Sequence, residues 1–393
     1  MATSSAQLRA YTGPALFSYG FRPFFLFGAA WAAIAMALWL PMLTGHVSLP
    51  TAFAPVQWHV HEMVFGYVPA IVAGFLLTAV PNWTGRLPVV GWPLAGLFGI
   101  WVLGRVAVAT SALIGARLAA LVDVSFLLAL GVVIAREIVA SSNTRNLKVL
   151  VGVALLAIGN LAFHLEVLLG NIDGRAQHLG IAATILLISI IGGRIIPSFT
   201  HNWLMRQPPG RVPAKLDRYD IAVMVVTGVA LAVWVFAPAS KVTAIVALAA
   251  SAANAARLAR WAGERTFAEP LVAILHVGYA FVPVGFLLLA LGILVPSVVL
   301  PSGALHGWTA GAIGLMTLAV MTRASLGHTG QPLVATTGIS LIYVAGIIAA
   351  LTRVVAATGM MRDAMLVVSA IAWVLAFGGF VVVYAPLLAK RRA

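Results

Sequence analysis

The sequence predicts an all-α polytopic membrane protein of about twelve transmembrane helices, and three observations predict it. Hydrophobic residues make up 62% of the 393 and charged residues only 9%, more apolar surface than a soluble core can absorb. The apolar residues fall in runs of about 20, the length that crosses a bilayer core as a helix. Lys and Arg are also shared unequally between the two sets of loops that such helices define. The runs lie at roughly 17–43, 58–81, 91–112, 117–138, 146–170, 176–200, 219–237, 240–260, 269–296, 301–325, 332–356 and 363–388. They leave no room for a separate soluble domain, so 1–393 reads as a single transmembrane domain. The Pro-rich, basic segment Gln207 to Arg218 is its most linker-like piece and the expected half-to-half boundary.

A net charge of +14 suggests nucleic acid only if it forms a patch. Numbered from a cytoplasmic N-terminus, every Lys and Arg except Arg105, Arg117, Arg175, Lys241, Arg353 and Arg362 falls on the side of the two tails, Arg9, Arg145, Arg391 and Arg392 included. The excess is therefore topology signal, with both termini cytoplasmic, lipid as the surrounding partner and no nucleic acid. The absence of Cys excludes thiolate ligands, iron–sulfur clusters, disulfides and covalent c-type haem attachment. The first ten residues have too short a polar lead and no cleavage pattern for a signal peptide, so span one is expected to be retained.

Taken in order, span one opens on Phe21-Arg22-Pro23 and is followed by His46, a solvated loop residue. Span two opens on Trp58-His59-Val60-His61-Glu62, and ionisable groups packed into a lipid-spanning segment count by default as a functional site. His59 and His61 stand about 200° apart on a helix, so they serve opposite sides rather than gripping one ion together. His59, Glu62, Gly66 and Ala70 share a face, and Gly66, Ala70 and Gly74 repeat at the spacing of a close helix approach. Span two is expected to break at Pro81, before Asn82-Trp83-Thr84-Gly85-Arg86. Spans three and four carry little chemistry beyond Asp123. Span five brings His164 and Glu166. Span six opens on Gln177-His178 and ends on Arg194, Pro197 and His201. Spans seven and eight are aliphatic and lack histidine. Span nine carries His276 and Tyr279, and span ten runs from His306-Gly307-Trp308 to Arg323 and His328. Spans eleven and twelve read as packing helices.

Spans two, six and ten each begin at the outer surface with a histidine and end inside near Arg, His or Thr, a period of four spans. This predicts three four-helix pseudo-repeat units, 1–138, 146–260 and 269–388, with the repeating helices converging. Topology sorts the histidines into an outer layer, His59, His61, His164, His178 and His306, and an inner layer, His201, His276 and His328. Imidazoles from different helices at one bilayer depth suit axial ligation of haem or binding of copper or another second metal. His59, His61 and His306 are the favoured ligands, and single histidines at helix ends are otherwise interfacial anchors. Arg194 and Arg323 could clamp haem propionates or simply reach lipid phosphate. Glu62 is the carboxylate nearest the ligands, either delivering a proton or orienting a histidine by hydrogen bonding.

The stretch Trp58 to Met63, with Gly74-Phe75-Leu76-Leu77-Thr78-Ala79-Val80-Pro81-Asn82-Trp83-Thr84-Gly85, resembles the NnrS family. The segment Arg194 to Thr200 and Met321-Thr322-Arg323-Ala324-Ser325-Leu326-Gly327-His328-Thr329-Gly330 are similar to its later signatures, so the resemblance covers nearly the whole chain. It implies a twelve-span bacterial inner-membrane protein containing haem, as haem b, and copper, linked to nitric oxide metabolism and nitrosative-stress resistance. The chain is more distantly similar to haem–copper oxidases and related nitric oxide reductases, which arrange twelve spans in three four-helix arcs with haem ligands from spans two and ten. It departs from them in lacking a histidine in span seven and in placing its His-x-His on span two.

Three function classes follow. One is a redox enzyme that reduces nitric oxide at a haem or metal centre in the outer half of the membrane, with Glu62 as its catalytic acid and electrons from a quinol or cytochrome. The second is a non-catalytic haem-based sensor or sink for NO. The third, a transporter, is disfavoured because the acids cluster toward the outer ends of the spans rather than at the midplane.

Overall fold

The computed structural model of the chain describes residues 11–141, 146–171 and 173–390. Arg9, Arg145, Arg391 and Arg392, used above in the charge argument, and the leader reading at 1–10 lie outside the described residues. Among the described residues there is no strand, and twelve helices are long and apolar enough to cross a membrane. They are α1 (Phe21–Leu43), α2 (Pro55–Thr84), α3 (Trp92–Ala109), α4 (Ala116–Ala140), α5 (Leu147–Leu169), α6 (Arg175–Leu204), α7 (Arg218–Phe236), α8 (Lys241–Ala259), α9 (Pro270–Leu294), α10 (Gly307–Thr329), α11 (Thr337–Ala356) and α12 (Arg362–Ala389).

The helix ends follow local chemistry. Pro55 opens α2, its fixed φ suited to the first helical position, while Gln57 Oε1 accepts the Ala54 N–H at 2.9 Å. The expected break at Pro81 does not occur. A proline near a helix end removes few backbone bonds, so α2 continues to Thr84 and stops where Gly85 adopts a φ of 68°, a left-handed conformation that glycine accepts without a Cβ clash. Asp217, Ser240, Glu269 and Thr336 cap α7, α8, α9 and α11 through side-chain oxygens, each satisfying backbone donors that the helix itself leaves open.

Contacts divide the chain into two compact units, Met1–Ala183 with Ala324–Gln331 and Phe377–Ala393, and Thr184–Arg323 with Pro332–Ala376. The division passes through α6, α10 and α12 and does not fall in the 207–218 loop. That loop is tied down: Arg265 donates at 2.6 Å to the carbonyls of both Pro208 and Arg211, and the Ala214 N–H reaches the Arg260 carbonyl at 3.0 Å.

In the first unit α1 packs closely along α2. A Cβ on Gly28 would stand 3.2 Å from that of Ala70, and one on Gly74 would stand 2.7 Å from the Phe25 ring, so the small residues buy a backbone approach that larger ones would forbid. In the second unit Arg257 of α8, fully buried, donates to Asp220 at 2.9 Å, the Ser189 carbonyl at 3.0 Å and the Tyr279 hydroxyl at 3.1 Å. Tyr279 in turn donates to Asn254 Oδ1 at 2.9 Å, so α6 to α9 share one polar network. The most buried spans are α2, α10 and α6, with 78%, 72% and 61% of their most apolar windows enclosed.

Candidate metal centre

The first turns of α2 do not continue as a plain α-helix. Pro55–His61 is α-helical, Glu62–Tyr67 forms a π-helical turn, and Val68–Thr84 resumes the α-helix. Such turns insert slack into a helix and are frequent at functional sites. His59 points to α1, where its ring stacks on Trp39 with centroids 4.1 Å apart. His61 turns the other way, into the space enclosed by α4 and α5, so the two histidines serve opposite sides as their spacing predicts.

His61 is the hub of a polar cluster in which no residue is more than 3% exposed: His61, Glu62, Arg105, Asp123, Asn160 and His164. His61 Nδ1 lies 3.0 Å from Glu62 Oε1, and its Nε2 lies 3.1 Å from Asn160 Oδ1 and 3.2 Å from Asp123 Oδ2. His164 Nε2 lies 3.0 Å from the same Asp123 oxygen. Arg105 joins the two acids, donating from Nη1 to Glu62 Oε2 at 2.6 Å and from Nη2 to Asp123 Oδ1. Trp31 Nε1 adds a second donor to Glu62 Oε2 at 2.6 Å. Phe53, Phe65 and Phe163 surround the His61 ring at centroid distances of 5.3, 5.8 and 5.5 Å and exclude water.

Two features fit a small cation. Ligand atoms of His61, Asp123 and His164 all lie within 4.8 Å of one another, and donors around a tetrahedral ion at 2.0–2.1 Å stand about 3.3 Å apart. The 3.0 and 3.2 Å separations at Asp123 Oδ2 are therefore close to those of a preformed site. Charge is compatible with this, because the two carboxylates face one permanent cation, the Arg105 guanidinium, and either a protonated His61 or a bound cation would complete the balance. Two imidazoles and a carboxylate suit a borderline divalent ion such as copper or zinc. A porphyrin does not fit at His61, whose two ring nitrogens both face acceptors and whose ring is packed among three phenylalanines.

The other expected site residues lie elsewhere. In the first unit, His178 is half-buried at the start of α6, and the exposed His328 sits 5.6 Å from the rings of Tyr19 and Phe21. In the second, His276 Nε2 bonds Thr200 Oγ1 at 2.8 Å, Arg323 lies over the Phe199 ring at 4.2 Å, and His201 and Arg194 are exposed. His306 is half-buried immediately before a second π-helical turn, Gly307–Ile313. His59 and His306 belong to different units.

Arg105, Asp123 and Asn160 carry as much of the cluster as the histidines, and none of the three is a candidate ligand on sequence alone. Arg105 counted only in the charge balance of the loops, and Asp123 was singled out in span four without being joined to the histidines. Yet Arg105 is four residues from the end of α3 and Asp123 seven into α4. An ionisable residue that far inside a span is itself a signal.

Fold and cluster together define a twelve-span helical membrane protein with a dry His/carboxylate centre. The chain belongs to the NnrS family: the family model for NnrS protein matches residues 15–392, nearly the whole chain. No curated protein matches the sequence.

Proposed function

We propose that this chain is a metal-dependent protein of nitric oxide metabolism and nitrosative-stress resistance, resident in the bacterial inner membrane with both termini cytoplasmic. The observation that carries the reading is the enclosed His61–Asp123–His164 set, held in an NnrS-family protein. His61, Asp123 and His164 hold the ion, and copper is the metal that the donor set and the resemblance share. When bound, it supplies a redox-active Lewis acid. Glu62 accepts from His61, Arg105 and Trp31, which suits it to orienting the His61 ring. Arg105 keeps both carboxylates aimed, and the aromatic shell excludes water, strengthening each of these interactions. Haem b stays tied to His59 and His306 through the argument from bilayer depth.

The reaction proposed is reduction of two NO by two electrons and two protons to N₂O and water, with a quinol or cytochrome as donor. One observation favours the second reading, a non-catalytic sensor or sink: Glu62, the acid nearest the centre, is engaged by three donors and is poorly placed to deliver protons. The deciding experiment is metal analysis and a reduced-minus-oxidised spectrum on the purified protein, followed by NO consumption with a reductant. Loss of metal in His61→Ala and His164→Ala, and of haem in His59→Ala and His306→Ala, is expected. Full metal retention in both His61→Ala and His164→Ala overturns the centre. NO binding without turnover selects the sink.

A further inference from the structure

Resting on the metal reading above, we propose that Asn160 supplies a fourth donor, its side-chain oxygen, so that the protein itself closes the site. The orientation of the amide follows from its neighbours. Asp123 Oδ2 lies 2.8 Å from one end of the Asn160 amide, and an ionised carboxylate only accepts, so that end must be the NH₂ group. The carbonyl oxygen therefore faces the other way, 3.1 Å from His61 Nε2.

That separation again matches the spacing of about 3.3 Å between donors of a tetrahedral ion. His61 Nε2, His164 Nε2, Asp123 Oδ2 and Asn160 Oδ1 then form two imidazoles, a carboxylate and an amide oxygen around one point, from α2, α4 and α5. Asn160 is 1% exposed, and its two polar atoms both point at ligand atoms rather than at backbone. A residue serving only to fill space there would be apolar, since burying an amide is costly unless its hydrogen bonds are made. A centre closed by four protein donors holds its ion tightly, and an incoming small ligand must displace the weakest donor, the neutral amide oxygen.

The test uses the full-length protein in detergent, stripped and reloaded with Cu(II), with affinity measured by competition with a chelator and the ligand field by electron paramagnetic resonance. Asn160→Ala should bind Cu(II) about 10–100-fold more weakly, the range for loss of a group supporting a metal site, with a changed resonance spectrum. Asn160→Asp separates the two ends of the amide, because it keeps an oxygen toward the ion and loses the donor to Asp123. If the oxygen is the working atom, Asn160→Asp restores affinity. Wild-type affinity and spectrum in Asn160→Ala, or Asn160→Asp binding more weakly than Asn160→Ala, overturns the inference while leaving the three-donor centre intact. A wild-type protein that takes up no Cu(II), or holds it equally well without His61 and His164, fails at the earlier step and sinks both.

Discussion

At the scale of single residues, Arg105 decides whether the cluster is stable. Its guanidinium bridges Glu62 and Asp123, with both contacts buried. Removing one partner of a buried pair costs about 3–5 kcal/mol, because the charge left behind has no water to turn to. Arg105→Met should therefore lower the thermal stability of the detergent-solubilised protein by that order, and doing so in a Glu62→Gln background should recover part of the loss. Equal melting curves for wild type and Arg105→Met would show that the pair is solvated after all. His61 and Glu62 were legible in the sequence because they stand together in one span. His164 shared the outer layer with His61, but Asp123 and Asn160 were not joined to them, because these residues sit on other helices and only packing brings them within hydrogen-bond reach.

Among the elements, the π-helical turn and the capped start of α7 carry the clearest consequences. Gly66 lies in the turn where a Cβ would run into Arg105 Nη1 and come within 2.7 Å of Glu62 Oε2. Gly66→Ala should thus push the guanidinium off both acids, at a cost of about 1–3 kcal/mol for overpacking, and reduce bound metal. Normal metal content in Gly66→Ala would remove the turn from the argument. At α7, Asp217 accepts from the Tyr219 and Asp220 N–H groups at 3.0 and 3.3 Å and pairs with Arg260. The hydrogen bond from Arg260, first, and then the backbone N–H of Asp220 hold its carboxyl down, from the ordinary 3.8 to about 2. A lowered folded value means the contribution is present above the unfolded value and lost as pH falls through the folded one. The gap in melting temperature between wild type and Asp217→Ala should accordingly be full at neutral pH and close between about pH 4 and pH 2. A gap that persists at pH 2 would assign it to something other than this ionisation. The cap was not anticipated, since the sequence reading treated 207–218 as a linker. Its ties are to Arg260 and Arg265, more than forty positions away in sequence.

For the molecule as a whole, hydropathy and charge spacing made the twelve spans legible, with the ends differing from expectation by a few residues, most of all at the starts of α10 and α11. The reason is general: span length is set by the bilayer and needs no knowledge of neighbours. The division into two units was not legible, because it passes inside continuous helices where no composition changes. Reporter fusions after Lys390 and in the 207–218 loop should report the cytoplasm, and fusions in the turn at 357–361 should report the opposite side. A reversed pattern would invert the outer and inner layers assigned to the histidines.

The buried ion pairs also bear on how the chain enters the bilayer. Arg105 of α3 is matched by Asp123 of α4, and Arg257 of α8 by Asp220 of α7, so in each case the two charges belong to consecutive helices. Alone at a helix centre Arg or Asp costs about 2.5–3.5 kcal/mol to insert, and less toward the ends, where Asp220 and Arg257 lie; pairing with a neighbour offsets what penalty there is. Each hairpin therefore partitions from the translocon more favourably as a joined pair than one helix at a time; Arg105 already finds Glu62 on α2, whereas a nascent chain that ended after α7 would leave Asp220 without Arg257.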